Sequence, residues 1–268
     1  MKHRNRQIDL IVLAVLPIVL ASVCLYFGAN FAISTFILFG VPLFYLLLRM
    51  IGRTRLIIKT SIFAFLFSIP FTLIFDYLMV RDRGWFIEKS IFPYRLFGVI
   101  AIEQFIWSFL WVLFVVVFYE YFLESHSKKS VFATSSISRR MEFFAIMLFS
   151  LLAIFILVIF INPHFLQISY AYLTLGIILG IIPLSIFLFK FPNLTYKFSK
   201  ITAYFFFLDV VVEYVGLSLN HWSFPGNHFL GTLVVSGFVL PYEEILIYFI
   251  VSTPGILAYY EFLDDDQR

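Results

Sequence analysis

Phe143-Phe144-Ala145-Ile146-Met147-Leu148-Phe149-Ser150-Leu151-Leu152-Ala153-Ile154-Phe155-Ile156-Leu157-Val158-Ile159-Phe160-Ile161 runs for nineteen residues without a charge and with one hydroxyl, Ser150. As a helix it covers roughly 28 Å at 1.5 Å per residue, close to the thickness of a bilayer's hydrocarbon core. Working outward from it, seven further stretches meet the same length test: 8–27, 31–48, 60–80, 97–122, 167–189, 201–219 and 231–260. The last is long enough to include an interfacial piece or a break, with a kink expected at Pro254-Gly255, because proline removes a helical hydrogen bond. The fold class this predicts is all-α, a polytopic transmembrane bundle of about eight helices.

Composition supports the same reading. The 268 residues are 62% hydrophobic and 13% charged, whereas a soluble domain is about 25% charged. The 37 Phe and 15 Tyr, spread along the chain, exclude disorder, which needs low hydrophobicity and high net charge. The single cysteine, Cys24, cannot form an intramolecular disulfide, and no Cys/His cluster has zinc spacing, so no metal is expected. Gly-rich phosphate loops, a Gly-x-Ser-x-Gly elbow and a His-Glu-x-x-His sequence are all missing, so no cofactor is expected.

Lys2, Arg4 and Arg6 precede the first stretch as they would in a signal peptide. No small-x-small cleavage site follows, and Val23 before Cys24 argues against a lipoprotein site, so a retained helix is expected. With the N-terminus inside, fifteen of the 19 basic residues fall on inner segments: Lys2, Arg4, Arg6, Arg49, Arg53, Arg55, Lys59, Lys128, Lys129, Arg139, Arg140, Lys190, Lys197, Lys200 and Arg268. Only Arg81, Arg83, Lys89 and Arg95 fall outside. This positive-inside bias predicts a cell-membrane protein with both termini cytoplasmic. The net charge of +3 therefore reports topology, and no nucleic-acid partner is expected.

The two halves echo each other. Phe118-Tyr119-Glu120-Tyr121-Phe122-Leu123-Glu124 ends the fourth stretch, and Tyr259-Tyr260-Glu261-Phe262-Leu263-Asp264 ends the eighth. Asp76 pairs with Asp209, Trp85 with Trp222, Gly98 with Gly231 and Glu103 with Glu243, the second half carrying about seven extra residues. Two tandem four-helix repeats in parallel orientation, 1–130 and 131–268, are expected, related by an axis along the membrane normal.

A charged group at the bilayer centre costs roughly 2.5 to 3.5 kcal/mol on insertion scales, so intramembrane acids are functional candidates. Asp76, Glu103, Asp209, Glu213, Glu243 and Glu244 all fall in the outer portions of their spans and could share one cavity. Asp209 and Glu213, four apart, face the same way. Glu243 and Glu244 point about 100° apart, so one can face the cavity while the other braces a neighbour. No Lys or Arg lies deep in a span, so some of these acids must be neutral or bound to polar neighbours, and such acids can donate protons. Glu120, Glu124, Glu261 and Asp264 to Asp266, near the other boundary, are expected only to hydrogen-bond helix ends. His221 and His228, seven apart in an aromatic loop, are expected to be polar-cap residues.

Pro241-Tyr242-Glu243-Glu244 at the start of a long aromatic helix, with an upstream Asp and Trp222-Ser223-Phe224, resembles the lycopene cyclase domain, the integral-membrane, flavin-independent carotenoid cyclase. The resemblance covers roughly 60–124 and 199–262 and matches the fused, two-domain form. Its hallmark is a Pro-x-Glu-Glu motif in each half. The first half here reads Ala101-Ile102-Glu103-Gln104, so Glu103 carries over while the second acidic position is Gln104.

The resemblance implies closure of ionone-type end rings on a linear polyene, without redox change. A neutral acid protonates a carbon–carbon double bond, the carbocation closes the ring, and a base removes a proton. The residues suit that chemistry. Glu243 is the favoured donor, Glu244 and Glu103 support it, and Asp76 and Asp209 polarise or orient. Trp107 and Trp111, four and eight residues beyond Glu103, share its helix face, and Tyr248 stands likewise to Glu244. With Trp222 and Glu213 they form the expected substrate wall, where aromatic faces stabilise a cation by roughly 0.5 to 2 kcal/mol each. The partners expected are a lipophilic carotenoid drawn from the bilayer and membrane lipid. A related carotenoid hydratase or isomerase, or a proton-coupled transporter, would also use intramembrane acids in a repeated bundle.

Overall fold

The computed structural model describes residues 2–124 and 139–263, with backbone alone for 2–5 and 139. Lys128, Lys129, Arg268 and Asp264 to Asp266 lie outside the described residues, as do the side chains of Lys2, Arg4 and Arg139. Among the described residues eight helices are long and apolar enough to cross a membrane: Arg6–Phe27, Phe31–Arg49, Thr54–Arg81, Glu103–Phe122, Arg140–Ile161, Ala171–Lys190, Pro192–Ser218 and Glu244–Leu263. The chain is an all-α, multi-pass membrane protein. In lipid a spanning segment must satisfy its own backbone polar groups, and a helix does so within one segment.

Several boundaries move, the third and seventh helices starting earlier than expected, at Thr54 and Pro192. The fourth and eighth stretches begin earlier in the sequence than their helices do, because the leading residues form hairpins. Strand β1 (Arg95–Leu96) pairs antiparallel with β2 (Ile100–Ala101), and β3 (Thr232–Val235) with β4 (Phe238–Pro241). Ser236 and Gly237 join β3 to β4 with φ of 52° and 85°, the left-handed pair that a tight two-residue hairpin turn demands. Phe97 and Gly98 turn the first hairpin, with φ of 51° and 76°. Gly98 and Gly237 therefore hold matching turns, which corrects the pairing of Gly98 with Gly231. Gly231 instead lets Tyr242 close on the backbone; a Cβ there would stand 2.6 Å from that ring.

Three spans contain π-helical stretches, Phe36–Gly40, Gly176–Ile181 and Glu244–Ser252. Each ends one residue before an x-Pro pair: Val41-Pro42, Ile182-Pro183 and Thr253-Pro254. The wider turn makes room for a proline ring that would clash with the carbonyl four residues back. At Pro254-Gly255 the helix changes from π to α rather than breaking. Pro17 and Pro70 lie in spans that stay α-helical.

The halves interlock. The first span packs on the seventh and the fifth on the third, so each half's first helix lies against the other half's third. On the side carrying the chain ends, Tyr119 donates to Glu261 and Tyr260 donates to Glu120. On the hairpin side, Phe86 and Ser223 exchange both backbone hydrogen bonds, at 2.8 and 2.9 Å. Arg83 and Asn220, three residues before each, both have positive φ, 60° and 54°. The two reciprocal exchanges, one at each end of the bundle, are the pattern that the expected axis along the membrane normal would give.

Glu120 and Glu261 thus accept from tyrosines of the opposite half. Glu124 accepts from Tyr119 and from Lys197, each at 2.8 Å. Asp9 is a further buried acid, on the first span. It accepts from Tyr45 at 2.6 Å, from Arg49 at 3.2 Å and from Tyr121, so here a cation at a span's end compensates it.

Candidate functional site

Between the halves, towards the hairpins, lies a cavity of about 1080 Å³, its open mouth included. Three carboxyls enter its wall: Asp76 from the third span, Glu213 from the seventh and Glu244 from the eighth. They are 4%, 3% and 5% exposed, and no Lys or Arg among the described residues lines the space. Everything else around them is largely aromatic.

Each carboxyl has a neutral donor. Trp222 Nε1 donates to Glu213 at 2.9 Å, and the Tyr172 hydroxyl donates to Glu244 at 2.6 Å. Gln104 Nε2 donates to Asp76 at 3.4 Å, a long contact, and the Trp85 indole faces the same carboxyl without hydrogen-bond alignment. Each of these bonds uses one carboxyl oxygen. Gly216 makes the Trp222 contact possible, because a Cβ there would stand 2.2 Å from the indole ring. Beside the carboxyls Trp107, Trp111 and Tyr248 form a triangle with ring centres 5.4 to 5.6 Å apart.

The correspondence across the axis differs from that expected. Trp85 faces Asp76 while its counterpart Trp222 holds Glu213, so Glu213, and not Asp209, occupies the place matching Asp76. In the place matching Asp209 and Tyr248 the first half has Thr72 and Ser108, hydroxyl to hydroxyl at 2.5 Å. Asp209 is fully buried with neither oxygen hydrogen-bonded among the described residues, and the Tyr248 hydroxyl and Trp111 indole are the donors that face it. It lies behind the wall.

Glu103 and Glu243 stand outside the cavity. Glu103 opens the fourth helix and accepts from Ser90 Oγ at 2.7 Å and from the backbone of Ile91 and Phe92. Glu243 accepts from Leu230 N at 2.6 Å, tying down the loop ahead of β3, and its other oxygen has no partner. Neighbouring positions on a helix point about 100° apart, and here Glu244 faces the cavity while Glu243 braces the loop. Of the expected set the structure brings together Asp76, Glu213, Glu244, Trp107, Trp111, Tyr248 and Trp222. It adds Tyr172, Trp85 and Gln104. Trp85 was visible as the mate of Trp222, but Tyr172 looked like any interfacial tyrosine.

The loop histidines are polar caps. His221 Nε2 donates to the Ala29 carbonyl at 2.9 Å, and burial holds its imidazole below the usual 6.5. His228 Nδ1 lies 2.6 Å from Asp82, whose other oxygen accepts from Ala171 N at 2.8 Å. Among the described residues no three His, Cys, Asp or Glu side chains converge as metal ligands. In comparison with known proteins, the chain matches no family model, no curated protein and no solved structure.

Proposed function

We propose that the chain is an integral-membrane carotenoid cyclase of the lycopene cyclase type, closing end rings on a linear polyene by proton-initiated, non-redox chemistry. The observation that carries this reading is the trio of buried carboxyls, without a cation, at the head of an aromatic cavity inside the bundle. The Pro-x-Glu-Glu resemblance supports it, with Glu244 as its cavity-facing acid.

In this mechanism Glu244, neutral and held by Tyr172, gives its proton to the terminal double bond of the substrate and becomes a carboxylate, and the anionic Glu213 beside it stabilises the carbocation that forms. A second double bond of the chain then gives its π electrons to the cation, forming the carbon–carbon bond that closes the ring and moving the positive charge to a ring carbon. Asp76, across the axis, takes the proton lost from the ring carbon, so proton gain and loss cancel. Trp107, Trp111 and Tyr248 face the space where the cation develops. The expected result in a lycopene-producing bacterium is ring-closed pigment, read by chromatography. Unchanged lycopene would reject the reading.

A proton-coupled transporter is the second reading. The π-helical stretches of the second and sixth spans stand at matching places in the two halves, as interrupted transporter helices do. The same expression experiment separates the two, since a transporter leaves the lycopene unaltered.

The positive-inside bias supports cytoplasmic termini and an outward-facing hairpin side in the cell membrane. In a Cys24→Ser background, Lys89→Cys and Asn227→Cys, both exposed positions, should react with an impermeant thiol reagent applied from outside. Reaction from the cytoplasmic side alone would invert the topology.

A further inference from the structure

The cavity is lopsided about the axis. On one side the sixth span lines it with Tyr172, Leu175, Gly176, Leu179 and Gly180. Of the matching face of the second span only Phe31 reaches this cavity; Phe31, Ser34, Thr35, Leu38 and Phe39 border a separate small space of about 210 Å³. The faces match in contact as well as in order: Phe31 sets its edge on Trp222 with ring centres 5.7 Å apart, and Tyr172 does the same on Trp85 at 5.4 Å. Where the first half has Thr35 and Phe39, the second has Gly176 and Gly180. Phe39 is wholly buried and packs edge-on against Trp107 at 5.8 Å, which fills that side. On the other side, which the cavity enters, the glycines let the eighth span close in, a Cβ at Gly176 falling 2.5 Å from Ile247 and one at Gly180 3.0 Å from Val251.

The open side continues as a long arm. Glu244, Tyr248, Ser252, Gly255 and Tyr259 line it from the eighth span, one helix face about 20 Å long. Opposite them Phe67, Phe71 and Phe75 stack with ring centres 5.6 and 4.8 Å apart and planes within 17°. That row is a flat apolar wall. Gly255 is buried, yet a Cβ built on it meets nothing within 4 Å. The arm reaches the surface beside Leu179, which is 39% exposed.

We propose that this arm takes one extended polyene chain from the bilayer, end first, with its tip at Asp76, Glu213 and Glu244, and that Gly255 is a specificity-determining residue that keeps the slot open. The proposal rests on the cyclase reading for the identity of the chain. Because the matching arm is filled by Phe39, one end of a symmetrical substrate reaches the acids at a time. The second end can do so only after release and re-entry.

The test uses the full chain in phosphatidylcholine nanodiscs, with a fluorescent conjugated polyene fatty acid as probe and tryptophan quenching as readout. Wild type should bind the probe saturably. Gly255→Phe, which places a ring in open space and improves helix propensity, should weaken binding by at least about tenfold, and Gly255→Ala should bind within about threefold of wild type. Should Gly255→Phe fail to accumulate, Leu179→Trp blocks the same arm at its mouth. Wild-type binding by a blocked variant, or no saturable binding by wild type, overturns the arm. The cyclase reading fails separately. Probe binding that Gly255→Phe abolishes, together with lycopene left intact by wild type in cells, keeps the arm and rejects the cyclase. Equal cyclisation by wild type and Gly255→Phe does the reverse.

Discussion

Glu244→Gln should lose turnover by on the order of 10²- to 10⁴-fold, the range for removing a general acid, while the protein still accumulates in the membrane. The amide keeps the shape and can still accept from Tyr172 at the position where the carboxyl accepts at 2.6 Å. It cannot give a proton to carbon. Glu213→Gln should fall comparably, because the negative charge that stabilises the carbocation is lost with it. Glu243→Gln is the informative contrast. Its carboxyl ties Leu230 N outside the cavity, so activity should stay within about tenfold of wild type while the thermal midpoint drops. Product formation in cells, normalised to membrane protein, reads the first effect, and a melting curve in detergent reads the second. A dead Glu243→Gln beside an active Glu244→Gln would exchange their roles.

The second large effect concerns the halves. Expressed alone, fragments 1–130 and 131–268 should each form no product, and co-expression should restore it. Asp76, Trp107 and Trp111 come from one half and Glu213, Glu244 and Tyr248 from the other, so neither owns a complete cavity. The crossed packing of first on seventh and fifth on third spans supplies the contact surface for reassembly, through the close packing that drives helices together in lipid. Double replacement Tyr119→Phe with Tyr260→Phe should weaken rescue, by removing the reciprocal bonds to Glu261 and Glu120. Full activity from 131–268 alone would reduce the first half to scaffold.

Much of this was legible in the residues. Uncharged runs of membrane length announce helices, because lipid leaves the backbone no other local solution. Acids in such runs announce themselves by their cost. The hairpins were harder: Thr232 to Pro241 is as apolar as the helix after it, and only Ser236-Gly237 signals a turn. Orientation was harder still. Glu243 and Glu244 are chemically identical neighbours, and the loop at Leu230 decides which of them braces. The pairing of Asp76 with Glu213 is masked because Asp209 is the more similar residue, although Glu213 stands nine residues before Trp222 as Asp76 does before Trp85.

The crossed helices also impose a schedule. During synthesis the first span leaves the ribosome long before the seventh, the surface it will rest on, has been made. The first half therefore enters the bilayer with an uncovered flank and must hold it, in lipid or against the insertion machinery, until some two hundred residues have been translated. Maturation is thus tied to the arrival of the second half, and a truncated product left without it stalls as an unclosed half.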